Sequence, residues 1–403
     1  MGTRAVLITG ATGAVGCRLA EIGTARGLRV VGVVRAWERA ARLARLPIRI
    51  MRAEMGDLRA LRAAMDGVDV IFHCALDTRV PWRQHRRINA HGTRAVMQAA
   101  LDVGVHRVVH LSSVAVYSYR PDPRAATEEG PYRYTGHPYC DGKIDAEKIV
   151  FRYHRRHGLP VVILRPTWVY GPFTNLTETS VESIIGRRLV LVDGGRGICN
   201  CVYIDNLVDA MLLAAETDDA VGDVFHVSDA EPQTWGAFLE AHARALGEGF
   251  WPLPLRSREE VLLARRERMS RVLWRLEQSP WARRAWGAVA GFPPAGRGWR
   301  WIRPLASASV RRLLARRRGG GAAGRVVEQG LALSQTDVDV YTMRVVYSIE
   351  KARRVLGYTP GMTFSEAMEV VRPWIRWWAA VKLHPRVEAS HALPAGLPYG
   401  KEM

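Results

Sequence analysis

The sequence has no run of 18 apolar residues in its 403, the length that a membrane-spanning helix needs. Its start leaves no room for a secretion signal either, because an apolar strand pattern follows Arg4 at once. The five cysteines are odd in number and scattered, without the spacing of metal ligands or of a disulfide framework. We therefore expect a cytoplasmic protein with reduced thiols, no metal site and no membrane-spanning helix.

Lysine and aspartate are absent from residues 251–325, where 18 Arg stand against 4 Glu. This segment accounts for 14 of the 19 net positive charges, so the rest of the chain is near neutral. It also holds six of the 13 Trp. We interpret it as an insertion that either caps a cleft or contacts an anionic membrane surface, which would make the protein membrane-associated. Nucleic acid is the least favoured partner, because no known binding module is present.

Short apolar runs alternate with segments of helical periodicity along the first half of the chain. The predicted strands are residues 5–9, 30–35, 48–51, 68–73, 108–112 and 161–165, and the clearest predicted helices are 14–26 and 93–103. Continuous apolar runs are typical of strands buried on both faces of a parallel sheet. The predicted fold class is therefore α/β, a Rossmann-type doubly wound parallel sheet with a smaller C-terminal lobe.

The second half is less regular. It predicts a helix over residues 205–216, a strand over 224–227, a helix from Thr234, regular structure again over 341–347 and a helix from Ser348.

A glycine-rich segment, residues 9–16 (TGATGAVG), joins the first predicted strand to the first helix. In this setting Gly10 permits a tight turn, Gly13 lets a pyrophosphate approach the backbone, and Gly16 allows close packing of helix on sheet. The helix N-terminus then offers unpaired N–H groups to an anion. The segment predicts a dinucleotide site.

The end of the second strand indicates which dinucleotide binds. It reads Val33-Val34-Arg35, with no acidic residue before Glu38. An acidic residue there usually holds a ribose hydroxyl, whereas an Arg suits a 2′-phosphate, so we expect NADP, with NAD as the alternative if Arg35 lies on a solvated edge. Asp57 and Leu58 are expected to cap the next helix, to border the adenine, or both.

Tyr139 and Lys143 are four residues apart in a helical segment, which places phenol and ammonium on one face. A phenol titrates near pH ~10, so acid–base work near neutrality needs a shift of about three units, or about 4 kcal/mol. A neighbouring ammonium and a nicotinamide cation can supply such a shift. Residues 111–117 (LSSVAVY) end the fifth predicted strand, where a hydroxyl would face the cofactor.

With several further segments, these motifs resemble the extended short-chain dehydrogenases/reductases, also called the NAD-dependent epimerase/dehydratase family. The resemblance covers most of the chain outside 251–325 and rests on residues 9–16, 57–58, 73–75, 89–93, 112–117, 139–143, 164–172, 202–206 and 348–360.

The resemblance implies a role for each site residue. Tyr139 would be the general acid/base, Lys143 would bind the nicotinamide ribose and lower the pKa of Tyr139, and Ser113, rather than Ser112, would hydrogen-bond the substrate oxygen. His73 would pack beneath the cofactor. The expected cofactor-binding residues are Gly10, Thr12, Gly13, Ala14, Val15, Gly16, Arg35, Asp57, Leu58, Cys74, Ala75, Lys143 and Pro166.

Two departures from the family pattern narrow the expected chemistry. Dehydratases carry Asp-Glu after the catalytic hydroxyl, whereas this chain has Val114-Ala115. Nucleotide-sugar members usually hold the diphosphate with an Arg at the position of Cys199. Three arginines remain as substitutes for it: Arg187, Arg188 and Arg196. The pattern is closer to the branch of 3β-hydroxysteroid dehydrogenases and dihydroflavonol reductases.

The resulting hypothesis is NADP-dependent reduction of a ketone or aldehyde on a fairly apolar small molecule, or oxidation of the corresponding alcohol. The alternatives are a nucleotide-sugar 4-epimerase that retains NAD and a non-catalytic NADP-sensing protein. We expect a nucleotide-binding domain over residues 1–171, with 202–228 added to it, and a substrate lobe over 172–403. The resemblance also suggests a homodimer.

Overall fold

The computed structural model describes residues 4–76, 82–119, 121–262 and 333–383. Its main sheet has seven parallel strands, which from one edge to the other are β3 (Arg49–Arg52), β2 (Arg29–Val34), β1 (Ala5–Thr9), β4 (Val70–His73), β5 (Arg107–Leu111), β6 (Val161–Pro166) and β11 (Val224–Val227). All six strands expected in the first half are present, with ends within two residues of those predicted. The order runs outward in both directions from β1 and β4, as in a Rossmann fold.

Strands β1, β4, β5 and β6 are buried along their whole length because helices cover both faces of this sheet. One face packs against α1 (Ala14–Ala25) and α6 (Ile204–Glu216), through residues such as Leu19 and Met211. The other packs against α2 (Leu58–Met65), α3 (Trp82–Val103) and α4 (Pro138–His157), through residues such as Leu61, Met97 and Val150. The predicted α/β class is confirmed.

Helix α3 begins 11 residues before the predicted start at Thr93. Its first turns read RQHRRINAH, which lacks apolar spacing, so periodicity alone does not reveal them. This early part of α3 lies along the rim of the cleft described below.

Most of the remaining described elements form a smaller group beside the carboxyl ends of the strands. They are β7 (Trp168–Tyr170), α5 (Asn175–Ile185), β8 (Leu191–Val192), β9 (Ile198–Cys199), β10 (Cys201–Tyr203), β12 (Gln233–Thr234), α7 (Trp235–Leu246), β13 (Leu255–Arg256), α8 (Gln335–Tyr341) and α10 (Phe364–Leu383). Helix α9 (Glu350–Leu356) packs instead on α6 and β11. Short 3-10 turns occupy Trp37–Arg39, Leu43–Arg45, Val114–Tyr117, Pro123–Ala126, Asp193–Gly195, Asp218–Ala220 and Glu248–Phe250. Helices α5, α7 and α10 share a core that contains Ile184, Phe238 and Trp374.

The prediction of regular structure over residues 341–347 is wrong, because α8 ends at Tyr341 and residues 343–349 form neither helix nor strand. The side chain of Asn200 binds this segment instead: it accepts from the Tyr347 N–H at 3.1 Å and donates to the Val345 carbonyl at 2.8 Å. Helix α9 then begins at Glu350 rather than at Ser348.

Of the Arg/Trp-rich segment 251–325, only residues 251–262 lie within the described part of the chain. The predicted cap or membrane contact therefore falls outside the described residues. In the ranges that are described, no helix combines the length and apolar character needed to cross a membrane. The predicted domain boundaries stay predictions, although β11 does join the main sheet.

Candidate active site

The turn between β1 and α1 depends on two glycines. Gly10 has a φ of +68°, and a Cβ there would lie 2.8 Å from the Ala75 Cα and backbone N. A Cβ on Gly16 would lie 2.4 Å from the Gly10 carbonyl oxygen. The turn is closed by a hydrogen bond of 2.9 Å from the Gly13 N–H to the Gly10 oxygen, so the N-terminus of α1 packs tightly on the strand end. This close approach leaves the first N–H groups of α1, from Ala14 onward, available to an anion.

A cleft of about 420 Å³ opens at the carboxyl ends of β1, β2 and β4. Four of the predicted cofactor residues line it: Gly10, Thr12, Arg35 and Ala75. Arg39 lies in the lining with Arg35, and the rest of the wall mixes apolar and polar residues. Its other members are Val33, Ala36, Ala53, Glu54, Met55, Gly56, His73, Leu76, Arg87, Ile88, Asn89, His91, Gly92 and Thr93. Such a cleft fits the adenosine half of a dinucleotide.

Asp57 and Leu58 form the N-terminus of helix α2. The Asp57 side chain accepts a hydrogen bond of 3.0 Å from the Ala60 N–H and so caps α2, which begins at Leu58. Their neighbour Gly56 lines the cleft. Among the described residues that line the cleft, neither Asp57 nor Leu58 is present. This favours the capping interpretation over contact with adenine.

His73 ends β4 at the floor of the cleft and is 2% exposed. Its Nδ1 lies 2.8 Å from the Thr9 hydroxyl, and its Nε2 lies 3.4 Å from the Thr93 hydroxyl. Burial, aided by the charge of Lys143, lowers the pKa of His73 to about 3, so the imidazole is neutral. These contacts tie β1 to β4 and β4 to α3.

The structure brings Ser113, Tyr139 and Lys143 to one end of the sheet. The Ser113 side chain is close enough to the Tyr139 phenol to favour its ionised form, which lowers the pKa of Tyr139. Lys143, 6% exposed, follows one turn later on α4 and donates to the Leu111 carbonyl at 2.7 Å. The neighbouring Ser112 is directed away, since its hydroxyl donates to the buried carboxylate of Glu147.

Burial dominates the electrostatics of this group. It raises the pKa of Tyr139, and the hydrogen bond from Ser113 offsets only part of that rise. Burial also lowers the pKa of Lys143 to about 8, although Cys74 and Glu147 act against it. Lys143 itself donates to the Leu111 carbonyl, and the acidified Tyr139 phenol that the resemblance implies stays a prediction.

A second cavity of about 650 Å³ lies near the start of α4, among the smaller group of elements. Its wall includes His137, two residues before Tyr139, and Tyr119, which hydrogen-bonds Cys140. Aromatic rings are prominent in it, with Trp168 stacked on Tyr119 at 6.2 Å between centroids. Its other lining residues are Leu176, Thr179, Ser180, Glu182, Ser183, Arg188, Leu189, Trp235, Leu333, Ser334, Thr336, Asp337, Val340 and Tyr341.

The comparisons with known proteins agree with this geometry. The model of the NAD dependent epimerase/dehydratase family matches residues 6–228. The chain belongs to this family. As a member it is an NAD(P)-dependent oxidoreductase enzyme.

Two curated relatives and one solved structure show the range of similarity. A 4-hydroxy-2-methyl-3-oxo-4-farnesyl-3,4-dihydroquinoline-1-oxide ketoreductase of Stigmatella aurantiaca is 30% identical over 58% of this chain and 70% of its own. A 3 beta-hydroxysteroid dehydrogenase/Delta 5-->4-isomerase of Mycobacterium tuberculosis is 25% identical over 96% of this chain and 95% of its own. The UDP-glucose 4-epimerase structure from Thermotoga maritima has a TM-score of 0.64 at 15% identity and covers 93% of this chain and 99% of that one. That last likeness concerns the fold alone.

Several residues of the two clefts were missed by the sequence analysis. Arg39, Met55 and Ile88 come from a loop and from the polar start of α3, where no motif marks them. The only sequence signal for Trp168 was its place inside the segment 164–172. Trp235 and Tyr341 are 106 residues apart in the sequence, yet their ring centroids are 4.8 Å apart.

Proposed function

We propose that this protein uses NADPH to reduce a ketone or aldehyde on a fairly apolar small molecule, with Tyr139 as the proton donor. The observation that carries the proposal is the convergence of Ser113, at the end of β5, with Tyr139 and the buried Lys143 on α4, where Lys143 donates to the Leu111 carbonyl. A phenol and a hydroxyl in contact, beside a cation, can hold and protonate a carbonyl oxygen.

The bound nicotinamide would supply the hydride. Ser113 would hold the substrate carbonyl oxygen by a hydrogen bond, and Tyr139 would donate its proton to that oxygen as negative charge develops there. Tyr139 is protonated at neutral pH, as a proton donor must be. Lys143, Gly10 and the start of α1 are the groups that would hold the cofactor.

The preference for NADP over NAD rests on Arg35 and Arg39, which both line the wall at the end of β2. Two guanidinium groups at this position would bind a 2′-phosphate by charge-assisted hydrogen bonds. Arg35→Ala is expected to weaken NADPH binding by roughly 10- to 100-fold and to leave NADH binding nearly unchanged. Fluorescence titration of both nucleotides checks this. Arg45→Ala is the matched control, since Arg45 is exposed on the next turn and outside the cleft lining; equal losses for NADPH and NADH would contradict the assignment.

The aromatic wall of the second cavity favours an apolar substrate with a ring system. Trp168 lies between Tyr119 and Trp235, and its ring centroid is 6.3 Å from that of Trp235. The relatives support this class, because one is named for a farnesyl-bearing quinoline substrate and another for a steroid.

Trp168→Ala is expected to raise KM for a ring-bearing ketone about tenfold and to change kcat less, because stacking contacts are made in both the ground state and the transition state. Steady-state kinetics with a ring-bearing and a short aliphatic ketone measure this. The control is Trp37→Ala, since Trp37 is 54% exposed and outside the cavity. A larger KM increase for the aliphatic ketone would speak against stacking.

A nucleotide-sugar 4-epimerase is the competing function. Of the three arginines that remained as diphosphate ligands, Arg188 does line the second cavity. Glu182 and Asp337 lie on the same wall and oppose a diphosphate, and Cys199 is fully buried. Turnover of a UDP-sugar without added nicotinamide would favour the epimerase.

The experiment that tests the proposal is a cofactor titration followed by a panel of carbonyls and alcohols, monitored at the nicotinamide absorbance. We expect NADPH oxidation with ring-bearing ketones or aldehydes. A protein that binds NADPH and turns over none of the panel would refute the reductase. Homodimer formation and contact with anionic membranes through 251–325 stay predictions.

A further inference from the structure

A buried ion pair joins the candidate catalytic helix α4 to strand β6. Glu147 follows Lys143 by one turn of α4 and is 0% exposed, while Arg165, on β6, is 3% exposed. The guanidinium binds the carboxylate through two hydrogen bonds, Nη2 to Oε2 at 2.6 Å and Nε to Oε1 at 3.0 Å. This bidentate geometry is the strongest that a carboxylate and a guanidinium can make.

The pair joins the elements that position the three catalytic candidates. Glu147 accepts from the Ser112 hydroxyl, beside Ser113, and from the Tyr132 hydroxyl at 2.7 Å. Arg165 donates at 2.5 Å to the hydroxyl of Tyr117, which lies on the turn that follows Ser113. This single charge pair thus fixes the positions of helix α4, the end of β5 and strand β6 relative to one another.

A buried ion pair is weak evidence for a gain in the free energy of unfolding, so we looked for another role of this network. Desolvating two charges costs about as much as their attraction returns, so a well-packed apolar pair of similar size would give equal or greater stability. What a buried pair adds is geometric specificity. Here the fixed geometry concerns the helix with Tyr139 and Lys143 and the strand end with Ser113.

The surroundings of Lys143 give Glu147 a second effect. The groups that face Lys143 from neighbouring elements are His73 and Cys74, at the end of β4, and His110 on β5. Burial lowers the pKa of both histidines far below neutrality and raises that of Cys74, so all three are uncharged at pH 7. Glu147, one turn away on α4, is an acidic neighbour of Lys143 and favours its ammonium form, as Cys74 does.

We infer that Glu147, clamped by Arg165, is a positioning residue of this enzyme: it holds α4, which carries Tyr139 and Lys143, against the strand end of Ser113. The inference rests on the proposed function for its effect on turnover. Its effect on Lys143 is independent of any substrate.

The experiment compares wild type with Glu147→Gln, which keeps the shape of the side chain and removes its charge. Lys143 is one of only five lysines, so ¹³C-lysine labelling allows its titration to be followed by NMR in the full-length protein. We expect the Lys143 pKa, about 8 in the wild type, to fall by at least about half a unit in Glu147→Gln. Because Lys143 is charged only below its pKa, the alkaline loss of kcat/KM should move to lower pH by the same amount.

The control is Asp218→Asn, which removes the partner of another buried arginine. Arg107 binds Asp218 at 2.6 Å at the opposite end of β5 and has a side chain only 2% exposed. This variant is expected to lower Tm but to leave the Lys143 titration and the pH profile unchanged. If Glu147→Gln also leaves both unchanged, the inference is wrong.

If Glu147→Gln does not fold, the variant Glu147→Asp tests the positioning role instead. It keeps the charge but shortens the side chain, so kcat is expected to fall at least about fivefold with the Lys143 pKa near its wild-type value. A wild-type kcat in Glu147→Asp would overturn the positioning role. If the wild-type protein reduces no carbonyl, the proposed function fails, while the NMR titration still tests the link between Glu147 and Lys143.

Discussion

Tyr139→Phe is expected to lower kcat for carbonyl reduction about 1,000-fold while NADPH binds within about twofold of the wild-type affinity. The substitution removes the phenolic hydroxyl, the group that would protonate the carbonyl oxygen, and retains the ring that packs at the start of α4. The Ser113 hydroxyl then loses its contact with the phenol and still accepts from the Ala115 N–H. Single-turnover kinetics with NADPH in excess, together with a fluorescence titration of NADPH, separate the chemical step from binding.

Tyr134→Phe is the matched control for this prediction. Tyr134 lies five residues earlier, is 42% exposed, and donates its hydroxyl to Asp145 at 2.9 Å on the outer side of α4. Its loss should change neither kcat nor NADPH affinity by more than about twofold. A Tyr139→Phe enzyme with wild-type turnover would remove Tyr139 from the chemistry, even if the protein proves to be a reductase.

The main sheet could be predicted because its strands are buried on both faces. Burial of that kind demands continuous apolar runs, such as residues 161–165, and these are visible without a structure. The first part of α3 was not visible for the opposite reason. It lies at the rim of the cleft, where polar side chains are required, and its sequence has no apolar stripe.

The same distinction applies to the candidate site. Gly10, Gly16, Ser113, Tyr139 and Lys143 could be identified because each belongs to a short motif with local spacing. The wall of the second cavity could not be identified, since Trp168, Trp235 and Tyr341 meet only through the packing of β7, α7 and α8. Tertiary contacts of this kind leave no periodic trace in the sequence.

The direction of the Tyr139 pKa shift was also beyond the sequence. The spacing of four residues predicts that Lys143 shares a helix face with the phenol, but not that its ammonium donates to the Leu111 carbonyl. Nor does spacing reveal that Lys143 is buried and that Tyr139 is partly exposed. Burial acts in opposite directions on the two pKa values, because the phenol is neutral when protonated and the lysine is charged.

Gly16→Ala is expected to weaken NADPH binding at least about tenfold and to lower the free energy of unfolding by about 2 kcal/mol. The added methyl group would lie 2.4 Å from the Gly10 carbonyl oxygen and 2.9 Å from the Gly10 carbonyl carbon. Both are backbone atoms, so no side chain can move aside, and α1 must shift away from the turn that presents its N–H groups. Urea denaturation and NADPH titration measure the two effects.

Gly23→Ala, in the same helix, separates this steric effect from a general response of α1 to alanine. A Cβ on Gly23 would meet the Cδ1 of Leu28 at 3.3 Å, and Leu28 has a flexible side chain. Alanine is the better helix former by about 1 kcal/mol, so Gly23→Ala should be neutral or stabilising and should leave NADPH affinity unchanged. If both variants bind NADPH as the wild type does, the glycine turn does not form the cofactor site. A loss of affinity in Gly16→Ala alone would locate the pyrophosphate at the start of α1, because only there does the backbone of α1 approach the turn so closely.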